Sequence, residues 1–133
     1  MKKGILFIAL SLFVFYSCSE KTDKIKRDKN LIYFNSKFLA ELGDEKYDEL
    51  EKDLKKGLEV KYLNDIIYIS KIVGVNACGN YKGNIEIKED SLILKHILVS
   101  DEVCTSNSIE RITYIVKNPT EKQYKLKLKY EEK

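Results

Sequence analysis

Imidazole is almost missing from this chain. His96 is the single histidine among 133 residues, which excludes every motif built on paired histidines, His-Glu-x-x-His included. Neither a Gly-x-Ser-x-Gly elbow nor a Walker phosphate loop occurs. Cysteine is scarce, with three residues and no Cys-x-x-Cys pair, so a four-ligand zinc element has nothing to start from. Neither sign of charge dominates. The 24 lysines and arginines face 21 carboxylates, for a net charge of +3, and that balance leaves no electrostatic footprint for nucleic acid. Long hydrophobic runs are missing too. The longest, Ile5 to Phe15, falls short of the ~18–20 residues that cross a bilayer as a helix. A two-carboxylate hydrolase needs only a spacing of about 5–10 Å, but the acids here sit in expected turns and on expected helix faces, where solvation accounts for them. The chain is expected not to be an enzyme and to carry no cofactor and no metal.

What is present begins with the first eighteen residues. Met1-Lys2-Lys3 is basic, Ile5 to Phe15 is apolar and uncharged, Tyr16-Ser17-Cys18 closes the run, and Ser19-Glu20-Lys21 turns polar. This order resembles a bacterial lipoprotein signal peptide, whose leader is cut before a cysteine that carries the lipid. Ser17 fits the small residue expected before that cysteine, while Tyr16 and Phe15 depart from the usual pattern. The run also matches the roughly 7–15 residues of a secretory core. The resemblance implies a leader over 1–17, acyl chains (palmitate among them) on Cys18, and a lipid-anchored protein of the bacterial cell envelope. Ser19 in place of Asp implies the outer membrane, with the periplasmic or surface face left open. An ordinary secreted protein and an uncleaved anchor are the alternatives. One acyl chain binds only marginally, at about 0.8 kcal/mol per methylene, and the three chains of a bacterial lipoprotein hold firmly.

The 133 residues less the 17 of the leader leave 116, enough for one small domain with a single core. Lys2 and Lys3 account for two of the three net charges, so the remainder is near +1. Once Cys18 carries lipid, Cys78 and Cys104 are an even pair in an oxidising compartment, which predicts a disulfide. It would close a loop of about 27 residues and contribute roughly 3–4 kcal/mol in the chain-entropy account. A metal set of Cys78, Cys104 and His96 is the weaker reading, because the spacing holds no paired-ligand element.

Residues 18–30 read as the lipidated cysteine followed by a flexible polar tether, since Ile25 is the lone apolar residue after it. Asn35-Ser36 can cap a short helix that stops at Gly43. Asp44 can cap a second, with Tyr47, Leu50 and Leu54 on one stripe and Gly57 after it. The period then changes from 3.6 to 2. Leu58–Leu63 and Ile66–Val73 form a hairpin about Asn64-Asp65. Residues 74–83 are irregular, with three glycines in ten. Further strands follow over 85–88, 91–99, 109–117 and 124–130, with turns at Glu89-Asp90 and Asn118-Pro119. Strand 91–99 is apolar on both parities and predicts a central position covered on both faces. His96 lies within it and reads as a structural, partly buried histidine. Lys125, Lys127 and Lys129 leave one face of the last strand wet and can guard an edge.

The expectation is therefore a single small α+β domain over 31–133, an N-terminal helix packed on an antiparallel β-meander of about six strands. A small closed β-barrel is the alternative. The body of the chain is similar to small exported bacterial lipoproteins that bring no activity with them. The expected function is a membrane-anchored, non-catalytic binding module for an envelope protein, peptide or glycan. Its candidate contact residues are Asn76, Asn80, Tyr81, Lys82, Thr105 and Asn107, on two loops pinned by the disulfide. A structural or accessory lipoprotein and a small apolar-ligand carrier are the alternatives. A disulfide that merely staples loops explains the same residues.

Overall fold

The structure, a computed structural model, describes residues 25–133. The expected leader over 1–17, the expected lipidation at Cys18 and the first part of the expected tether, to residue 24, lie outside the described residues. Seven strands and one short helix follow in order. Strand β1 runs Leu31–Glu41, helix α1 covers Tyr47–Glu51 and continues as a 3-10 segment over Lys52–Lys55, and β2 (Glu59–Leu63), β3 (Ile66–Asn76), β4 (Tyr81–Lys88), β5 (Ser91–Leu98), β6 (Asn107–Lys117) and β7 (Lys125–Glu132) complete the chain. One sheet has the order β1-β6-β3-β2 and the other β4-β5-β7. All pairs are antiparallel except β5 with β7. The fold is α+β, mostly antiparallel, and the sheets do not close into a barrel.

Alternation along each strand divides apolar from polar side chains. Ile67, Ile69, Ile112, Tyr114 and Val116 of the larger sheet meet Ile85, Leu92 and Leu94 of the smaller one in one buried cluster. The two sheets thus form a sandwich around a shared core. The Tyr114 hydroxyl spans it, donating to the Lys95 carbonyl at 2.9 Å. On the outer face of the larger sheet, Tyr47, Leu50 and Leu54 pack on Ala40, Ile72 and Ile109. The expected apolar stripe of the helix is therefore real, and it covers one face of the sheet.

The segment expected as a capped helix up to Gly43 is strand β1. It pairs with β6 from Leu31↔Val116 to Glu41↔Ser108, and this long ladder outweighs the weak helical preference of Asn35-Ser36. Gly43 sits at φ +103° in the turn that follows, a conformation that favours glycine. The Asp44 carboxylate accepts from the Glu41 backbone N–H at 2.7 Å and does not cap α1. The expected β2–β3 hairpin turns at Asn64, with φ 52°, and Ser91–Leu98 is the centre of its sheet. The expected cover on both faces is not found: Leu92, Leu94 and His96 are buried against the core, whereas Ser91, Ile93 and Lys95 on the outer face are only half-buried. The interval 74–83 is more regular than expected, because β3 extends to Asn76 and β4 starts at Tyr81. Part of the expected tether is also docked. The Asn84 side chain accepts from the Asp28 N–H at 2.8 Å and donates to the Lys26 carbonyl at 3.0 Å. Arg27 reaches the carbonyls of Leu31 and Ile32 at 3.1 and 2.8 Å. Among the described residues no helix is long and apolar enough to cross a membrane.

Gly83 lets the sheets approach. A Cβ built there would collide with the ring of Phe34, on the facing sheet. Gly83→Ala is expected to force the Phe34 ring out of place and to cost about 1–3 kcal/mol. A chemical-denaturation midpoint unchanged from the parent would contradict this packing role.

Candidate functional site

The connections β3–β4 and β5–β6 lie side by side at one end of the sandwich, and Cys78 and Cys104 are bonded there with Cα atoms 5.6 Å apart. The predicted disulfide is present. With both sulfurs bonded to each other, the alternative metal set loses its thiolates. Among the described residues no group of three or more His, Cys, Asp or Glu is placed to hold a metal ion.

Asn76 is the hub of this end. Its Oδ1 accepts from the N–H of Cys78 at 3.1 Å and of Cys104 at 3.0 Å, and its Nδ2 donates to the Cys104 carbonyl. Its own backbone N–H donates to the Tyr81 hydroxyl at 2.9 Å. The side chain is thus consumed by the frame and is not offered to a ligand. The loops also hold each other directly, through Ala77 N–H to the Ser106 carbonyl at 3.0 Å, Asn80 N–H to Ser100 Oγ at 2.9 Å and Val99 N–H to the Asn80 carbonyl at 2.8 Å. Asn76→Ala would leave two amide donors without their acceptor. The expected cost is about 1–3 kcal/mol, read as a lower urea midpoint, with faster amide exchange at Cys78 and Cys104 marking the loops as the place of loss.

Two clefts open beside the pinned loops. The first, of about 380 Å³, is lined by Phe34, Asn35, Ser36, Gly79, Asn80, Tyr81 and Glu110. In it Ser36 Oγ donates to Glu110 Oε2. The Tyr81 ring stacks on His96 with centroids 4.7 Å apart. Burial pushes the Tyr81 phenol up to about 12, against the smaller opposing effect of its hydrogen bond with the Asn76 backbone. The second cleft, of about 430 Å³, is lined by Tyr47, Leu54, Gly74, Val75, Asn76, Asn107 and Tyr130.

The six sequence candidates are therefore divided. Asn80 and Tyr81 line the first cleft and Asn107 the second, while Asn76 braces both loops. Thr105 is exposed on the β5–β6 connection. Lys82 points to the opposite side of its strand from Tyr81, because neighbouring residues of β4 alternate between faces. Sequence reasoning missed Phe34, Ser36 and Glu110. The first two lie on the strand read as a helix approach, and only the pairing of β1 with β6 brings Ser36 to Glu110.

One carboxylate (Glu110), one serine hydroxyl (Ser36), two exposed amides (Asn35 and Asn80) and two aromatic rings (Phe34 and Tyr81) form a surface suited to hydrogen-bonding hydroxyls or amides while stacking an apolar face. The imidazole of His96 is sealed behind Tyr81, at 2% exposure, and does not meet the Ser36 hydroxyl as a general base would have to. No family model, no curated protein and no solved structure matches this chain.

Proposed function

We propose that this chain is a membrane-anchored lipoprotein of the bacterial cell envelope whose folded domain is a non-catalytic binding module. The ligand is an envelope glycan, peptide or protein segment that enters the Phe34–Ser36–Glu110 cleft. The leader pattern ending at Cys18 supports the anchoring. The observation that carries the binding reading is the cleft itself, where Asn80 and Tyr81 stand on a loop fixed by a disulfide and by the Asn76 bridge. A wall held this rigidly loses little entropy when it closes on a ligand.

The test is a screen of the oxidised, lipid-free protein on arrays of cell-wall glycans and peptides, repeated with Ser36→Trp and Asn80→Trp, which fill the cleft from either wall. A ligand lost in both variants supports the assignment. Ligands retained by both variants would refute it. Intact mass with acyl analysis of protein from the native membrane fraction tests the anchor separately, and an unacylated chain cut elsewhere than before Cys18 would remove it.

A further inference from the structure

The outer face of the β4-β5-β7 sheet carries charge of nearly one sign. Cross-strand register sets its rows as Lys88–Ser91–Lys125, Glu86–Ile93–Lys127, Asn84–Lys95–Lys129 and Lys82–Ile97–Glu131. Six lysines thus stand against two glutamates. Glu86 pairs with Lys88 and Lys95 at 2.8 and 3.1 Å, and Glu131 with Lys129 and Lys95 at 2.9 and 3.6 Å. Both carboxylates are consumed in this way. Lys82, Lys125 and Lys127 are exposed and have no ion pair among the described residues. Edge protection accounts for lysines on β4 and β7, the two edge strands of this sheet. It does not account for Lys95 on the central strand β5.

The N-terminal segment arrives on this same face. Asn84, in the row of Lys95 and Lys129, is the residue that grips Lys26 and Asp28. Ile25 shares a pocket with Lys95, Ile97 and Glu131. Six residues lie between Cys18 and Ile25, and the seven steps they define span at most about 25 Å whatever the conformation. The opposite side of the sandwich is covered by α1, so the lysine face is the broad surface closest to where a lipid on Cys18 would be.

We propose that this lysine face lies on the anionic phospholipid head groups of the membrane that holds the anchor. The binding cleft is then carried beside the bilayer, and α1 faces away from it. Its placement near the bilayer rests on the anchoring reading, but the affinity of the face for anionic lipid does not. A lipid-free chain tests that affinity by itself.

The experiment is co-sedimentation of the chain from Ser19 to Lys133, which retains every described residue, with vesicles of phosphatidylcholine alone or mixed with phosphatidylglycerol. Binding is expected only to the anionic vesicles and is expected to weaken as salt is raised. Lys82→Gln/Lys125→Gln/Lys127→Gln lowers the partition coefficient on the order of a hundredfold, and Lys82→Glu/Lys125→Glu/Lys127→Glu lowers it further. Lys37→Glu/Lys52→Glu/Lys55→Glu, on the other side of the molecule, changes it much less. Equal losses in the two glutamate triples, no effect of the face triples, or no preference for the anionic vesicles would each overturn the proposal. Circular dichroism confirms that the variants remain folded. Absence of acyl chains on Cys18 would remove the anchor and leave this outcome unaffected.

Discussion

Replacing Cys78 and Cys104 together by alanine lowers the unfolding free energy by about 3–4 kcal/mol and the thermal midpoint by about 15 °C. The two sulfurs are 26 residues apart in sequence, and a link of that span removes loop-closure entropy from the unfolded chain. The native loops do not collapse when it is cut, because Asn76 still bridges Cys78 to Cys104 through its amide. The loss therefore sits mainly in the unfolded state. Asn76→Ala acts on the folded side, and the two changes share the same loops. Their combination should be non-additive by more than the ~0.5 kcal/mol seen for distant sites. Urea unfolding of the oxidised protein, the alanine pair, Asn76→Ala and the triple variant measures all of this. A shift below ~1 kcal/mol for the alanine pair would mean that the unfolded chain is already compact around these cysteines.

The disulfide, the β2–β3 hairpin and the centrality of Ser91–Leu98 were legible because each rests on local or countable features. With Cys18 set aside by the leader resemblance, the two other cysteines admit one pairing, Asn64-Asp65 marks its own turn, and 91–99 is apolar on both parities, with Leu92, Leu94 and Leu98 against Ile93, Ile97 and Val99. Strand β1 was not legible, because Asn35, Ser36, Leu39 and Leu42 also fit a helical spacing, and only the facing β6 ladder decides between the two. The parallel docking of β7 on β5 was hidden for a similar reason. It depends on the chain crossing back between sheets after the Asn118 turn, where Asn118 is buried and binds both the Lys122 N–H and the Lys122 carbonyl at 3.1 Å. The same gap concealed half the cleft. Asn80 and Tyr81 advertise themselves on a glycine-rich loop, whereas Ser36 and Glu110 become neighbours only through non-local pairing. The lysine face shows the converse. Lys125, Lys127 and Lys129 read as one strand's wet side, and their meaning changes once β4 and β5 place Lys82, Lys88 and Lys95 beside them.

Acidification from pH 7 to pH 4 is expected to destabilise this domain by about 3 kcal/mol through His96 alone. The ring is 2% exposed, stacked on Tyr81 at 4.7 Å and bordered by Phe34 and Tyr130 at 6.1 and 6.0 Å. Its Nε2 has no hydrogen-bond partner. Burial pushes the imidazole down to about 4, from an ordinary value of 6.5. Between those two values the unfolded chain binds a proton that the folded one refuses. Stability is therefore fully present above about pH 6.5, falls as pH drops through that window, and levels off below about 4. Glu86 and Glu131, held below the usual carboxylate range by their lysine hydrogen bonds, lose their contribution only at lower pH, beginning near 4.5. His96→Leu keeps the volume and removes the titration, so its stability should be nearly flat from pH 6.5 to 5 while that of the parent declines. Parallel curves for the two proteins across that interval would show that His96 is not the titrating group. In the folded protein the imidazole takes its proton only near pH 4, and that protonation would disturb the cleft, because the Tyr81 ring that forms its wall rests on this imidazole. A ligand bound through Tyr81 should accordingly stay bound from pH 6.5 to 5 and be released only as the pH approaches 4.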